Sequence, residues 1–240
     1  MMRIKADLHI HSTVSPCATL LMSPKNIVSV AKAKGLSLVA LTDHNCTRNC
    51  PAFFSLCKRE NLFCLGGAEV TTVEECHVLC LFDNLKIIME FGQYVESRLP
   101  DVPNQRDLFG DQVYVNDQEE ILGSVEKYLG NATSISVSEL CRAVHERGGI
   151  IIPAHVDRPV FGMIAQLGFI PQEPFDALEI YRNNKSAAIG AEEKYPLISN
   201  SDSHMPDEVG CVYTAMEMPE ISFINLKEAL KRGAVFIERG

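Results

Sequence analysis

Six of the chain's seven histidines lie in or directly after a short apolar run, and only His145 falls inside a stretch of helical periodicity. The runs cover residues 4–10, 36–41, 62–65, 76–82, 149–153, 177–181 and 197–199, and two more follow at 212–216 and 234–237. Their lengths suit strands, and turn residues close them. Helical patterns stand between them at 27–34, 51–60, 138–147 and 223–232. Ser23-Pro24 supplies an N-cap and a first-turn proline for the first helix, and Ser138 is placed to cap the third. Repeated strand–helix units predict an α/β chain with a mainly parallel sheet and helices outside. About seven strands favour a closed barrel, with an open doubly wound sheet as the alternative. No G-x-G-x-x-G or Walker motif follows the first strand, which weakens a nucleotide-fold reading.

A length of 240 residues suits one large domain, or one domain with an insertion. Residues 83–137 break the alternation. They predict a helix near 87–99, a loop rich in Pro, Asn and Asp at 100–110, and a second helix near 119–129. This is an inserted, largely helical region, an elaborated connection packed on the barrel or covering its mouth.

Composition excludes several functions. The net charge is −9 and no Lys/Arg stripe appears, so long nucleic acid is not expected as a partner. Small anionic substrates stay open, because bound divalent metals can dominate the local field. No apolar run approaches the roughly 20 residues of a membrane span, and the N-terminus lacks a signal-peptide core. The nine cysteines are odd in number and dispersed, without a C-x-x-C pair, which fits reduced thiols and a cytoplasmic location.

In a barrel of parallel strands the C-terminal strand ends converge on one face, so side chains far apart in sequence would meet there. Asp7-Leu8-His9-Ile10-His11 is a D-x-H-x-H motif, and on a strand residues i and i+2 share a face, so His9 and His11 could bind one metal. Asp43-His44 ends the second strand, where Asp43 could orient a ligand histidine. Glu69 follows Gly66-Gly67-Ala68 and suits a ligand bridging two cations. His77 lies within an otherwise apolar strand, His155 ends another, and Asp202-Ser203-His204 repeats the i, i+2 spacing. Such a donor set suits Zn, Mn or Fe.

In this order, D-x-H-x-H, T-D-H, G-x-E, H, P-x-H and D-x-H closely resemble the polymerase and histidinol phosphatase (PHP) family. The resemblance spans Asp7 to His204. It implies a distorted (β/α)7 TIM-like barrel over residues 1–240 with two or three divalent metal ions. Carried over residue by residue, it implies that His9, His11, Glu69 and Asp202 bind a first metal and His44 and His204 a second. Glu69 would bridge to a third, held also by His77 and His155. Many family members place an Asp or His in the loop after H-x-H, whereas residues 12–24 here hold neither. Cys17 is the one plausible ligand in that loop, and solvent completing the second site, with Cys17 packed away, is the expectation.

The resulting expectation is a metal-dependent phosphoesterase acting on a small phosphate monoester or cyclic phosphodiester, through a hydroxide bridging the metals. Arg158 and, less directly, Arg182 would grip the phosphate. Asp202 is the candidate general acid if its ligation leaves one oxygen free. The alternatives are a nuclease acting on short oligonucleotides, a catalytically inactive metal-binding scaffold or sensor, and an amidohydrolase-type enzyme.

Overall fold

The computed structural model describes residues 1–181 and 194–240. The chain runs through β1 (Met2–Ile10), α1 (Pro24–Ala33), β2 (Leu38–Leu41), α2 (Cys50–Arg59), β3 (Phe63–Thr71) and β4 (His77–Phe82). Next come α3 (Leu85–Glu96), the one-turn α4 (Arg106–Phe109), β5 (Val113–Val115), β6 (Ile121–Ser124), α5 (Val137–Glu146) and β7 (Ile150–Pro153). It ends with α6 (Met163–Leu167), β8 (Leu178–Glu179), β9 (Leu197–Ile198), β10 (Val212–Met218), α7 (Phe223–Lys231) and β11 (Val235–Arg239).

The main sheet has the order β11-β10-β1-β2-β3-β4-β7. Backbone hydrogen bonds carry its curl past β7. Asp176 N donates to Ile151 O (3.0 Å) and Val156 N to Glu179 O (2.8 Å), β8 pairs parallel to β9, and Ile10 bridges Ser203. The strands β1, β2, β3, β4, β7, β8 and β9 thus form a distorted barrel, and β10 lies antiparallel against the first half of β1.

Strand periodicity of two sorts the core into two shells. Leu38 and Ala40 of β2, Leu79 and Leu81 of β4, and Ile150 and Ile152 of β7 fill the interior. Their neighbours Val39, Leu41, Val78, Cys80 and Ile151 face the outer helices. The first of those helices forms as expected, with Ser23 Oγ accepting from Asn26 N and Pro24 in the first turn. On α5 the cap is Ser136 rather than Ser138. On β1 the register against β2 shifts between Asp7 and Ile10. Ala6 and Leu8 belong to the inner cluster but Ile10 to the outer one. A bulge of this kind re-aims side chains at a barrel rim, and it brings His9 and His11 to the mouth.

Two expectations need correction. The sheet is less parallel than the strand–helix alternation implies, because β4 runs antiparallel to both β3 and β7. A link of only five residues, 72–76, joins β3 to β4, which is too short for a crossover helix and makes a hairpin. The helix expected near 119–129 is also absent. Asn116 Oδ1 accepts from Gln118 N and Glu120 N, and Glu119 has a φ of 68°. This turn starts a hairpin, so the inserted region is partly helical (α3, α4) and partly the β5–β6 ribbon. That region is anchored beside the mouth, where Val113 N donates to Thr13 O at 3.2 Å and Val115 N to Asn49 Oδ1 at 2.8 Å.

Among the described residues, no helix is long and apolar enough to cross a membrane.

Candidate metal centre

The barrel gathers all eight residues singled out as metal ligands. Glu69, near the end of β3, is central and fully buried. Its Oε1 faces His77 Nδ1 (2.9 Å), His155 Nε2 (3.0 Å) and His9 Nε2 (3.4 Å), and its Oε2 faces His44 Nδ1 (3.0 Å) and His11 Nε2 (3.3 Å). Asp202 Oδ1 lies 3.3 Å from His9 Nε2 and 3.2 Å from His11 Nε2. His204 stacks on His11 with ring centroids 4.3 Å apart. The reversal of β4 matters here. Thr71 pairs with His77, so the start of β4 lies beside the end of β3 and His77 joins ligands from the C-terminal ends of parallel strands. A Cβ at Gly67 would come within 1.7 Å of the Cys80 carbonyl oxygen, so the hairpin can close beneath Glu69 only over glycine.

A buried polar scaffold aims these side chains. Glu179 on β8 accepts from His9 Nδ1 at 2.9 Å, from His155 N at 3.0 Å and from Asn200 Nδ2 at 2.8 Å. This bond leaves His9 Nε2 as the lone-pair nitrogen facing Glu69 and Asp202. Sequence reading missed Glu179, although it carries the signal that marked Glu69, a carboxylate in an apolar strand. Asp43 acts on His11 through a serine. Ser15 Oγ donates to Asp43 Oδ1 (2.7 Å), and its oxygen contacts His11 Nδ1 (3.0 Å) and accepts from His44 N (3.1 Å). Asp7 accepts from Ser201 N, Ser201 Oγ and Gly210 N, and at 3.5 Å from the backbone N of His9. It thereby ties β1 to the segment that carries Asp202 and His204. His155 and Asp202 have φ of 29° and 49°, left-handed values that cost a non-glycine residue energy and cluster at functional sites.

The electrostatics match a cation site. Burial opposes charge on Glu69, yet His77, His9 and His44 hold its pKa well below the usual carboxylate range. Burial likewise opposes charge on Asp202, and His9 and His11 keep it low. Burial is outweighed at His9 by Glu179, Asp202 and Glu69, which hold its pKa well above the ordinary value. His11 rises to about 9 despite burial, through hydrogen bonds to Asp202 and Glu69, and His44 to about 9 through the Glu69 charge. Burial pushes His77 and His204 down to about 4. Glu69 Oε2 and the Nδ1 atoms of His44, His77 and His155 are buried without a hydrogen-bond partner. Lone pairs aimed at one another in this way are what a bound cation satisfies. Three overlapping groups could each hold an ion: His9, His11, Glu69 and Asp202; His11, His44 and His204; and His44, Glu69 and His77.

Of the substrate anchors, Arg158 donates through Nη1 to Asp202 Oδ2 at 2.7 Å and lies over Tyr181. Its neighbour Asp157 accepts from Tyr181 N instead. Arg182 lies outside the described residues. Cys17 is exposed rather than packed away, and it shares the wall of a cleft of about 360 Å³ with His44, His77, Phe109, Tyr128 and Phe161. Phe161 stacks on His77 at 4.4 Å, nearly parallel.

Barrel and converging His, Glu and Asp side chains together define an α/β barrel with a candidate metal centre at its mouth. The PHP-domain model matches residues 7–189 and the PHP-associated model residues 181–235. The chain belongs to the PHP-domain family. It is 37% identical over 79 residues to an uncharacterised protein of Methanocaldococcus jannaschii, covering 30% of this chain and 46% of that protein. The lesion-specific endonuclease Q of Pyrococcus furiosus is similar in structure, with a TM-score of 0.75 and 22% identity over 98% of this chain. An endonuclease Q bound to a 27-mer duplex with an abasic lesion at the active site gives 0.71, with 21% identity over 96% of this chain. The chain spans only 58% and 57% of those two proteins. A protein of Bifidobacterium adolescentis described as a metal-dependent phosphoesterase has a TM-score of 0.58 at 20% identity, covering 95% of this chain and 96% of that one. The duplex complex corrects the expectation that long nucleic acid is not a partner. A protein that contains a barrel of this fold takes a duplex substrate there, so a net charge of −9 is no ground for excluding one. Net charge sums over the whole surface, whereas a phosphodiester meets the local field at the mouth.

Proposed function

We propose that this chain hydrolyses a phosphodiester at a centre of two or three divalent ions, of zinc, manganese or iron. The observation that carries this reading is the convergence of six histidines, Glu69 and Asp202, with buried nitrogen and oxygen atoms left without a hydrogen-bond partner. His9, His11, Glu69 and Asp202 would hold one ion, His44 and His204 a second, and Glu69 with His77 and His155 a third. Bound there, such ions supply Lewis acidity, lowering the pKa of water and neutralising phosphate charge.

The chain's own residues do the rest. Glu179 keeps a proton on His9 Nδ1, so that Nε2 stays a donor. Asp43, through Ser15, holds His11 and the His44 backbone in place. Arg158, half-exposed beside Asp202, can exchange that carboxylate for a phosphate oxygen of the substrate. Asp202 Oδ2 is then left as an ionised carboxylate beside His9 and His11, able to accept a proton from a water rather than to supply one to the leaving oxygen. The aromatic wall of Phe109, Tyr128 and Phe161 favours a substrate that bears a planar base, such as a nucleotide or nucleic-acid strand. The Arg158 guanidinium, the one proposed anchor among the described residues, favours a second reading, a small phosphate monoester or cyclic phosphodiester.

The test is elemental analysis of the purified protein together with hydrolysis of p-nitrophenyl phosphate, its bis-ester and a labelled oligonucleotide, with His9→Ala as control. Two or more metals per chain, and cleavage of the bis-ester and oligonucleotide that His9→Ala loses, is the expected result. Cleavage of the monoester alone would select the second reading. Metal without turnover on any of them would leave a scaffold or sensor.

A further inference from the structure

The three cation groups differ in one respect. Two contain a carboxylate, whereas the third, His11, His44 and His204, offers only imidazoles. An anionic donor is missing there, and the loop between β1 and α1 brings one. Cys17 lies on the wall of the cleft that His44 and His77 also line. The loop is pinned on both sides of it to this same group. Two residues before, Ser15 Oγ contacts His11 Nδ1 at 3.0 Å and accepts from His44 N at 3.1 Å. Two residues after, Thr19 N donates to His204 O at 3.0 Å. All three histidines are therefore tied to the segment that carries the thiol, His11 through its ring and His44 and His204 through their backbone. The fully buried Glu69 Oε2, without a hydrogen-bond partner, faces His11 and His44 from the other side. The remaining cysteines are buried or half-buried, and those on β4, α2 and α5 belong to the outer core.

We propose that Cys17 binds as a thiolate to the cation held by His44 and His204, and that it makes this second site prefer zinc. The inference rests on the metal-centre reading above. On binding, the thiol proton leaves to solvent, and sulfur supplies the negative charge that the imidazoles lack. Thiolate and imidazole donors together are a zinc set, whereas the carboxylate-bearing sites also suit manganese and iron.

The experiment is zinc-edge X-ray absorption on the zinc-loaded full chain and on Cys17→Ser and Cys17→Asp, with zinc content measured alongside. The wild type is expected to show a sulfur shell at about 2.3 Å beside nitrogen and oxygen scatterers at about 2.0–2.1 Å. Cys17→Ser should lose the sulfur shell, keep the nitrogen and oxygen shell, and bind its weakest zinc at least tenfold less tightly. Cys17→Asp should recover that zinc without sulfur and accept manganese in competition. Zinc bound in the wild type with nitrogen and oxygen scatterers alone overturns the assignment but leaves the metal centre standing. A sulfur shell that persists in Cys17→Ser also overturns it. A protein that binds no zinc overturns the metal-centre reading and this inference with it.

Discussion

Replacing Glu179 with glutamine tests whether the buried scaffold aims the ligands. The carboxylate accepts three hydrogen bonds, from His9 Nδ1 (2.9 Å), His155 N (3.0 Å) and Asn200 Nδ2 (2.8 Å). Glutamine keeps the shape but offers one acceptor oxygen and one NH2 group. With the NH2 toward His9 and His155, donors face donors at two bonds. With the NH2 toward Asn200, the conflict moves there. Asn200 cannot turn to relieve it, because its Oδ1 already accepts from Leu8 N at 2.9 Å. In the better orientation one buried donor pair stays unsatisfied, at about 1–3 kcal/mol. His9 also loses its anionic partner, and removing such a partner from a metal-ligating histidine costs about 10–100-fold in affinity. That corresponds to about 1.4–2.7 kcal/mol of zinc binding. The assay is competition with a chromophoric chelator, run beside urea unfolding of the metal-free protein. Zinc affinity within twofold of wild type, with only the urea midpoint lowered, would refute the positioning role and leave Glu179 a structural residue.

Other outcomes follow from the same geometry. Gly67→Ala sets a methyl 1.7 Å from the Cys80 carbonyl oxygen and should cost about 3 kcal/mol or more, read as a lowered urea midpoint. An unchanged midpoint would contradict the close approach of β3 and β4. Chelator treatment should lower the melting temperature and added zinc restore it, by about 2.7 kcal/mol of stability when free zinc is a hundredfold above its Kd. A melting temperature indifferent to zinc would count against a built site. His11 and His44 titrate at about 9 in the metal-free site, so at lower pH each must give up a proton before offering its lone pair. Zinc affinity should therefore climb as pH rises toward about 9, with proton release in buffers of differing ionisation enthalpy. A flat profile would show that these rings are already neutral.

Strand-end histidines made the convergence of the candidate ligands legible in the sequence, because period-two geometry and strand ends suffice to bring His9, His11, His44, His155 and His204 together. His77 was legible as a residue but its direction was not. The link 72–76 is what reverses β4 and presents it at the shared rim. Glu179 escaped because its partners, His9 and Asn200, are distant in sequence. Ser15 escaped because a serine in a loop carries no mark of its role between Asp43 and His11. The 119–129 stretch failed as a helix because a local Asn116 turn outweighed the helix-forming Glu, Leu and Lys residues after it. Net charge misled about nucleic acid because it says nothing about where the charges stand.

At the rim the backbone of β1 meets the segment after β9 at one bridge, Ile10 to Ser203, with His11 N donating to Ser203 O at 3.1 Å; below it side chains join the two, Asp7 accepting from Ser201 and Asn200 from Leu8 N. His9 and His11 stand on one side of that join, Asp202 and His204 on the other. A cation shared between them would be a clasp across that seam, linking β1 to a segment far along the chain. No nascent chain can capture that ion until residue 204 has been synthesised. In the mature protein its exchange is expected to keep pace with breathing of the seam rather than with diffusion through the cleft.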